Sequence, residues 1–381
     1  MKILHVVPTY LPARRYGGPI FAVHGLARAL VERGHHVDVF TTNVDGDGES
    51  DVPLRERVDL DGVGVYYFSS PMRRLYWSPQ LRKALNASIR GPAISYDVTH
   101  LHSVFLYPTA AAARAAEKAH VPYVISPRGM LVPELIAAKS RWTKTAWLRL
   151  IERRNFSHAA AIHFTTERER EDAKRTKMPV PASFIVPNGI VLSGASAASP
   201  AQRDPDTILS LGRINWKKGI DRLIAALPHV DNARLVIAGN DEENLTPRLK
   251  ELAERLGVAN RVEFLGRVDG EAKDALLARA TIFALTSMSE NFGNVVLEAM
   301  AAETPVILTA EVGLSEEVRR ARAGVVVPAQ PREIANAIRK LLDEPDERRA
   351  MGARGRHAVE TRFTWPRVAE EMEAQYARLL R

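Results

Sequence analysis

The sequence predicts an α/β fold of two doubly wound parallel-sheet domains facing each other across a cleft. Three observations predict it. Short β-branched runs alternate with longer amphipathic segments, and such alternation yields parallel sheets covered on both faces. The alternation stops and restarts across PNGIVLSGASAASPAQRDPD (187–206), a small, polar stretch with three prolines that suits an exposed linker. At 381 residues the chain has the length of about two domains.

In the first half, Ile3–Val7, Val37–Thr42, Val63–Phe68, Asp97–Leu101, Tyr123–Ser126, Ala161–Thr165 and Phe184–Val186 read as strands. Between several of them lie the helical patterns Pro19–Glu32, Tyr107–Lys118 and Glu167–Lys174. In the second half, Ile208–Leu211, Leu235–Ala238, Val262–Leu265, Ile282–Leu285, Val306–Thr309 and Val325–Val327 alternate with helices. The expected domains are 1–188 and 189–365, with a last helix over 366–381 packing back on the first. Sheets of this kind bind ligands at their carboxyl ends, here along the shared cleft.

Composition narrows the classes. The 46% hydrophobic and 26% charged fractions are those of an ordinary folded protein. No run of about 18 apolar residues offers a membrane span. MKILHVVPTY is interrupted too soon by Pro8 and Pro12 to read as a secretory signal. With no cysteine, disulfide and thiolate chemistry are excluded and a cytoplasmic setting is expected. The net charge of +8 points to polyanionic partners: phosphates, an anionic membrane face or nucleic acid. A nucleic-acid binder would need a reading module or stacking aromatics along a basic stripe. No such module is found, and aromatic content is 7%.

The first βα turn, VPTYLPARRYGGPIFAV, bears glycines but lacks the G-x-G-x-x-G fingerprint, and no acidic residue follows the second strand to hold a ribose. A nicotinamide dehydrogenase is therefore disfavoured. Gly17-Gly18 would let backbone approach a ligand closely as the next helix starts, unless it is a plain tight turn. In DVTHLHSVF, His100 and His102 lie on one strand face, with His102 at the carboxyl end where a ligand would meet it. Zinc would need a third and usually a fourth ligand. None follows nearby, so no metal is expected, and a buried structural histidine is the competing reading.

LSLGRINWKKGID runs strand, turn, helix. Arg213 leaves the strand end and Lys218 precedes Gly219, so two cations flank a helix start, which suits a diphosphate. A solvated basic turn is the alternative, and it describes Lys217 better. In SENFGNVVLEAM, a loop over Thr286–Asn291 leads to a helix near Asn294. Backbone N–H groups of Phe292, Gly293, Asn294 and Val295 are then placed to receive phosphate or hydroxyl oxygens. Glu298, about one turn in, leans back toward that mouth. Carboxylates accept hydrogen bonds, so vicinal hydroxyls of a ribose or hexose are natural partners for Glu290 and Glu298. The alternative is a capping box from Ser287 to Glu290, with Glu298 paired to an arginine.

Taken in order, YLPARRYGGP, RGHHVDVFTT, DVTHLHSVF, SPRGML, PNGI, LGRINWKKGID, LVIAG, RVEFLG and SENFGNVVLEAMAAETPVI resemble the retaining glycosyltransferases of family 4, which have the GT-B fold. The last motif carries that family's E-x7-E pair at Glu290 and Glu298. The resemblance implies a nucleotide-diphosphate sugar on the second domain, with Glu298 on the ribose, Glu290 and Asn291 to Val295 on the sugar and phosphates, and Arg213 and Lys218 neutralising the diphosphate. His102 would meet the sugar, and Gly18 would border both donor and acceptor. No metal cofactor is implied, because cations and a helix terminus would stabilise the leaving diphosphate. Retention would proceed by same-face substitution, with Glu290 positioning the sugar. Base discrimination would involve Gly239 and Arg267-Val268. A same-fold epimerase or phosphorylase is the alternative reaction.

For the acceptor side, Gly17, Gly18, His102 and Arg128 are singled out. KSRWTKTAWLRLIERRNFSHA (139–159) mixes bases with Trp142, Trp147, Leu150 and Ile151. Read at helical spacing, Trp147, Leu150 and Ile151 share a face. Such a helix can lie on an anionic membrane, implying a lipid-linked saccharide acceptor as in bacterial surface polysaccharide assembly and a peripheral place on the inner membrane's cytoplasmic face. Packing on the domain core with a basic rim is the alternative.

Overall fold

A computed structural model of the chain describes residues 1–13, 17–91, 95–138, 141–192 and 203–381. Arg14, Arg15 and Tyr16 of the glycine loop, Lys139 and residues 193–202, half of the expected linker, lie outside the described residues. The chain divides into two units, Met1–Gly189 with Trp365–Arg381, and Ile190–Thr364.

The first unit runs β1 (Lys2–Thr9), α1 (Gly18–Glu32), β2 (His36–Thr42), β3 (Val44–Asp45), β4 (Gly48–Glu49), β5 (Arg57–Leu60), β6 (Val63–Phe68), α2 (Pro79–Ser88), β7 (Val98–His102), α3 (Tyr107–Ala119) and β8 (Tyr123–Ser126). It continues α4 (Pro133–Ala138), α5 (Arg141–Trp147), a π-helical turn (Leu148–Glu152), α6 (Arg153–His158), β9 (Ala161–Phe164), α7 (Glu167–Arg175) and β10 (Ser183–Ile185). The second unit runs β11 (Thr207–Leu211), α8 (Ile220–Ala226), β12 (Arg234–Ala238), α9 (Thr246–Arg255), β13 (Val262–Gly266), α10 (Gly270–Arg279), β14 (Ile282–Leu285) and α11 (Asn294–Ala301). After β15 (Val306–Thr309), α12 (Ser315–Ala321), β16 (Gly324–Val327), α13 (Pro331–Asp343) and α14 (Pro345–Arg362), the chain returns to the first unit as α15 (Trp365–Leu379).

The first sheet has the order β10-β9-β8-β7-β1-β2-β6-β5 and the second β13-β12-β11-β14-β15-β16. Strands buried on both faces carry near-continuous apolar runs, and alternate side chains feed separate cores. Leu4 and Val6 of β1 enter one core, Ile3 and Val7 the other. In β14, Ile282 and Ala284 face one core while Phe283 and Leu285 face the other. At the edge of the first sheet β5 runs antiparallel to β6, and β3 and β4 form a separate antiparallel pair. The RVDL of β5 is half exposed, so it lacks the apolar run of a buried strand.

Strand order reverses direction at one place in each sheet, between β1 and β7 and between β11 and β14. Loops leaving adjacent strands there diverge to opposite faces, opening a crevice at the carboxyl ends. The glycines and charges of the second unit stand at its crevice.

The helix α15 puts Trp365, Val368, Ala369, Met372 and Tyr376 into the first unit's core, a 3.6-residue stripe against α1. The contact is tight: a Cβ on Gly25 of α1 would lie 2.2 Å from the Trp365 indole. Gly25→Ala should therefore destabilise the first unit by about 1–3 kcal/mol through overpacking. Urea unfolding checks this, and an unchanged midpoint would refute the packing described.

Candidate active site

The second unit's crevice is built from backbone outward. At the ends of β11 and β12, Gly212 (φ +146) and Gly239 (φ +153) approach so closely that a Cβ on Gly239 would lie 1.8 Å from the Gly212 carbonyl oxygen. The N–H of Ile214 donates to the Asn240 carbonyl at 2.8 Å, which extends the pairing and leaves Arg213 at the rim. Arg213 is about half exposed, and its Nη1 lies 3.2 Å from each Glu242 carboxylate oxygen.

Asn215 Oδ1 accepts from the Lys217 N–H at 3.1 Å and caps the short turn Trp216–Lys218. That turn fixes Lys218, whose Nζ donates to the Glu290 carboxylate. Next comes Gly219 (φ +63), where a Cβ would lie 2.1 Å from the Thr286 carbonyl oxygen. Thr286 Oγ1 donates to the Gly219 carbonyl at 2.9 Å, and the Met288 N–H to the Lys217 carbonyl at 2.6 Å. The loops after β11 and β14 are stitched edge to edge.

Glu290 is held from both sides. Its N–H donates to the Glu311 carbonyl at 3.1 Å and its carbonyl accepts from Gly313 at 2.9 Å. The backbone then reaches Gly293 (φ +93), which caps α11 with no side chain. The first-turn N–H groups of a helix have no intrahelical acceptor, so this end presents donors beside the Lys218–Glu290 pair. Phe292 is buried in the core and anchors the turn, whereas Asn291, Asn294 and Val295 are half buried. Glu298, half exposed one turn along, lies 3.1 Å from Lys273 of α10.

In the first unit a different polar group stands on the sheet face that α15 covers. His5, His100, His102 and His163 are each 2% exposed or less. Val186 O accepts from His163 Nε2 at 2.8 Å, which fixes that tautomer. His163 Nδ1 then accepts from His100 Nε2 at 3.3 Å, and His100 Nδ1 accepts from the Tyr376 hydroxyl at 2.6 Å. On the other side Arg128 Nη2 donates to His102 Nδ1 at 3.3 Å, and His102 Nε2 to His5 Nδ1 at 2.8 Å. Arg128 Nη1 also donates to Asn188 Oδ1 at 2.8 Å. Burial first, then Arg128's charge, holds His5 and His163 down at about 3 and His102 well below the usual histidine range. Burial followed by the neighbouring rings does the same to His100. Burial also lowers Arg128 to about 10.

Two family descriptions match the chain: "Glycosyl transferase 4-like domain" over residues 17–189 and "Glycosyl transferases group 1" over 195–358. An uncharacterized glycosyltransferase of Methanocaldococcus jannaschii is 29% identical, over 97% of this chain and 96% of its own. A phosphatidyl-myo-inositol mannosyltransferase of Mycobacterium leprae is 28% identical, over 94% of this chain and 92% of its own. Among solved structures, Anabaena HepE in complex with UDP-glucose superposes with a TM-score of 0.76 at 20% identity, covering 99% of this chain and all of that one. The chain belongs to the GT-B glycosyltransferases of family 4.

Several expectations change. No capping box forms at Ser287: the glycosyltransferase starts α11 at Asn294, and Glu290 turns to Lys218 instead. Glu298 pairs with a lysine, not an arginine. The search for a third histidine beside His100 and His102 missed His5 and His163, although ligand atoms of His5, His100 and His102 lie within 4.8 Å of one another. A dication there would sit beside the Arg128 guanidinium, and the rings already bond in chains, so the group reads as a hydrogen-bonded network. His102 is not ligand-facing, being 1% exposed with both nitrogens engaged. Leu150 leaves the face expected for Trp147, Leu150 and Ile151: Trp147 packs on the core and Ile151 is half-buried, whereas Leu150, inside the π turn, stays 78% exposed. Gly17 (φ +63) starts α1 with Gly18 exposed, and Val268 packs half-buried against the core.

Missed altogether were Glu242 and Lys273, the partners of Arg213 and Glu298. His5 carried a signal, a lone polar residue alternating with Ile3 and Val7 on a buried strand.

The four rings stay neutral when folded but bind protons below about 6.5 when unfolded. Stability is therefore present above that pH and lost as pH falls toward 3. Between pH 7.5 and 5.5 the folded state should lose stability, on the order of 1 kcal/mol per ring. Urea titrations at the two pH values check this, and equal midpoints would contradict it.

Proposed function

We propose that the glycosyltransferase moves a hexose from a nucleotide-diphosphate sugar to a lipid-linked saccharide, with retention at the anomeric carbon and without a metal ion. One observation carries the reading: the Lys218–Glu290 pair lies at the donor-rich start of α11, in the crevice between β11 and β14.

A diphosphate entering this crevice competes with two carboxylates for two cations. Lys218 would exchange Glu290 for a phosphate oxygen, and Arg213 would exchange Glu242. Glu290, released from its cation, would accept hydrogen bonds from the sugar hydroxyls, and Glu298 from the ribose diol. As the C1–O bond breaks, its electron pair moves onto the diphosphate, where Lys218, Arg213 and the α11 N–H groups offset the charge. The acceptor oxygen bonds to C1 on the same face and its proton passes to the departing phosphate oxygen. Glu290 positions the sugar throughout.

The acceptor side falls to the first unit, where Gly17 and Gly18 offer open backbone at the start of α1. Arg128 and His102 act from below, as a buried pair holding the segment that ends at Asn188. The UDP-glucose complex of HepE supports a nucleotide sugar as donor, and the name of the mycobacterial relative supports a lipid carrier.

A thermal-shift panel of UDP-, GDP-, ADP- and CDP-sugars checks the donor site. The matching donor at about 100 times its Kd should add about 2.7 kcal/mol. Glu298→Ala should abolish that shift, and Lys218→Ala should lower kcat by about 10²–10³-fold. Equal shifts for wild type and Glu298→Ala would remove Glu298 from the ribose.

A further inference from the structure

The first unit contains a second recess that the transfer chemistry does not use. It is an open recess of about 420 Å³ between α4, α5, the π turn, α6 and the chain after α7. Ile136, Leu148 and Met178 form a buried apolar floor, and Arg149, Arg153 and Lys177 are exposed cations on its wall. None of the residues lining it is acidic.

The π turn Leu148–Glu152 lines one side of it through Leu148 and Arg149. A wider turn shifts the register within a helix and is frequent at functional sites. Leu148 and Glu152, four residues apart and so on one face, both turn inward. The Glu152 carboxylate takes the Phe105 N–H at 2.8 Å, Trp147 Nε1 at 2.9 Å and Asn155 Nδ2 at 3.1 Å. Arg149, Leu150 and Arg153 are left facing outward.

The nearby acids are already engaged, since Arg175 bonds both Glu134 and Asp172. The side chains of Arg149, Arg153 and Lys177 form no ion pair among the described residues. Two large apolar side chains flank the recess in the open. Leu150 adjoins Arg149, and Trp142, 83% exposed, lies three residues before Thr145 of the lining and so on the same helix face. Exposed tryptophan and leucine beside basic groups match a bilayer's interfacial zone.

We infer that this recess seats the phosphate headgroup of an anionic lipid, with Arg149, Arg153 and Lys177 on the phosphate and the apolar floor under the glycerol and first methylenes. Trp142 and Leu150 enter the interface beside it. The inference deepens the lipid-linked acceptor reading by locating where the protein meets the membrane. Vesicle binding requires no sugar transfer, so the two readings fail separately.

The test is cosedimentation of the full chain with phosphatidylglycerol–phosphatidylcholine vesicles and with pure phosphatidylcholine vesicles. Wild type should bind the anionic vesicles alone. Arg149→Ala/Arg153→Ala/Lys177→Ala should weaken partitioning by on the order of 100-fold, about five-fold per cation. A control losing the exposed Arg332, Arg339 and Lys340 of α13 should keep binding within a few fold. Thr145→Trp, which fills the recess without changing charge, should weaken binding at least several-fold. Equal loss in the α13 control, full binding by Thr145→Trp, or a thermal shift with inorganic phosphate but no vesicle binding would each overturn the inference. In all variants the donor-induced thermal shift should be unchanged; its absence from wild type would count against the donor site alone.

Discussion

The approach of Gly219 to Thr286 is the constraint on which the second unit's site depends. No side chain fits between Gly219 and the Thr286 carbonyl, and a hydroxyl bond closes the same gap. Because the strand order reverses between β11 and β14, their loops would otherwise separate. Held together, they bring a lysine and a glutamate from residues far apart in sequence into contact beside a helix start. Both charges are half buried, where attraction is stronger than at an open surface and the loss of one partner is costly. A pair of this kind keeps a cation and a carboxylate poised until ligands of opposite character replace each partner.

The first unit uses polar groups differently. Its histidine network is buried, neutral and directional, running from the Tyr376 hydroxyl and the Arg128 guanidinium toward Val186 O and His5. Neutral rings can be buried at modest cost when their nitrogens are paired, whereas imidazolium cannot. The network ties β1, β7 and β9 to α15 and to the chain around Val186–Asn188. It therefore rigidifies the places where the polypeptide leaves and re-enters this unit.

Much of the architecture was legible because buried parallel strands require continuous apolar runs, and Ile282–Leu285 and Val306–Thr309 could hardly be anything else. The edge strand β5 escaped notice because RVDL needs apolar residues on one face only. Glu290 and Glu298 could be singled out from spacing and from the improbability of charge among Val295, Val296 and Leu297. Their partners could not be. Lys273 meets Glu298 only through packing of α10 on α11, and Lys218 meets Glu290 only through the order of strands in the sheet. The pairing of His5 with His100 was hidden for the same reason: it exists because β1 lies beside β7. Helical spacing misled at Leu150, which lies inside the π turn.

The crevice between β11 and β14 is proposed to receive a nucleoside diphosphate. Amide hydrogen exchange of the full chain, with and without saturating UDP or GDP, addresses it directly. Exchange should slow at the start of α11, residues 292–295, and in the turn holding Lys218, with the outer helices α13 and α14 unchanged. Protection confined to other segments, with those two turns exchanging as before, would contradict it.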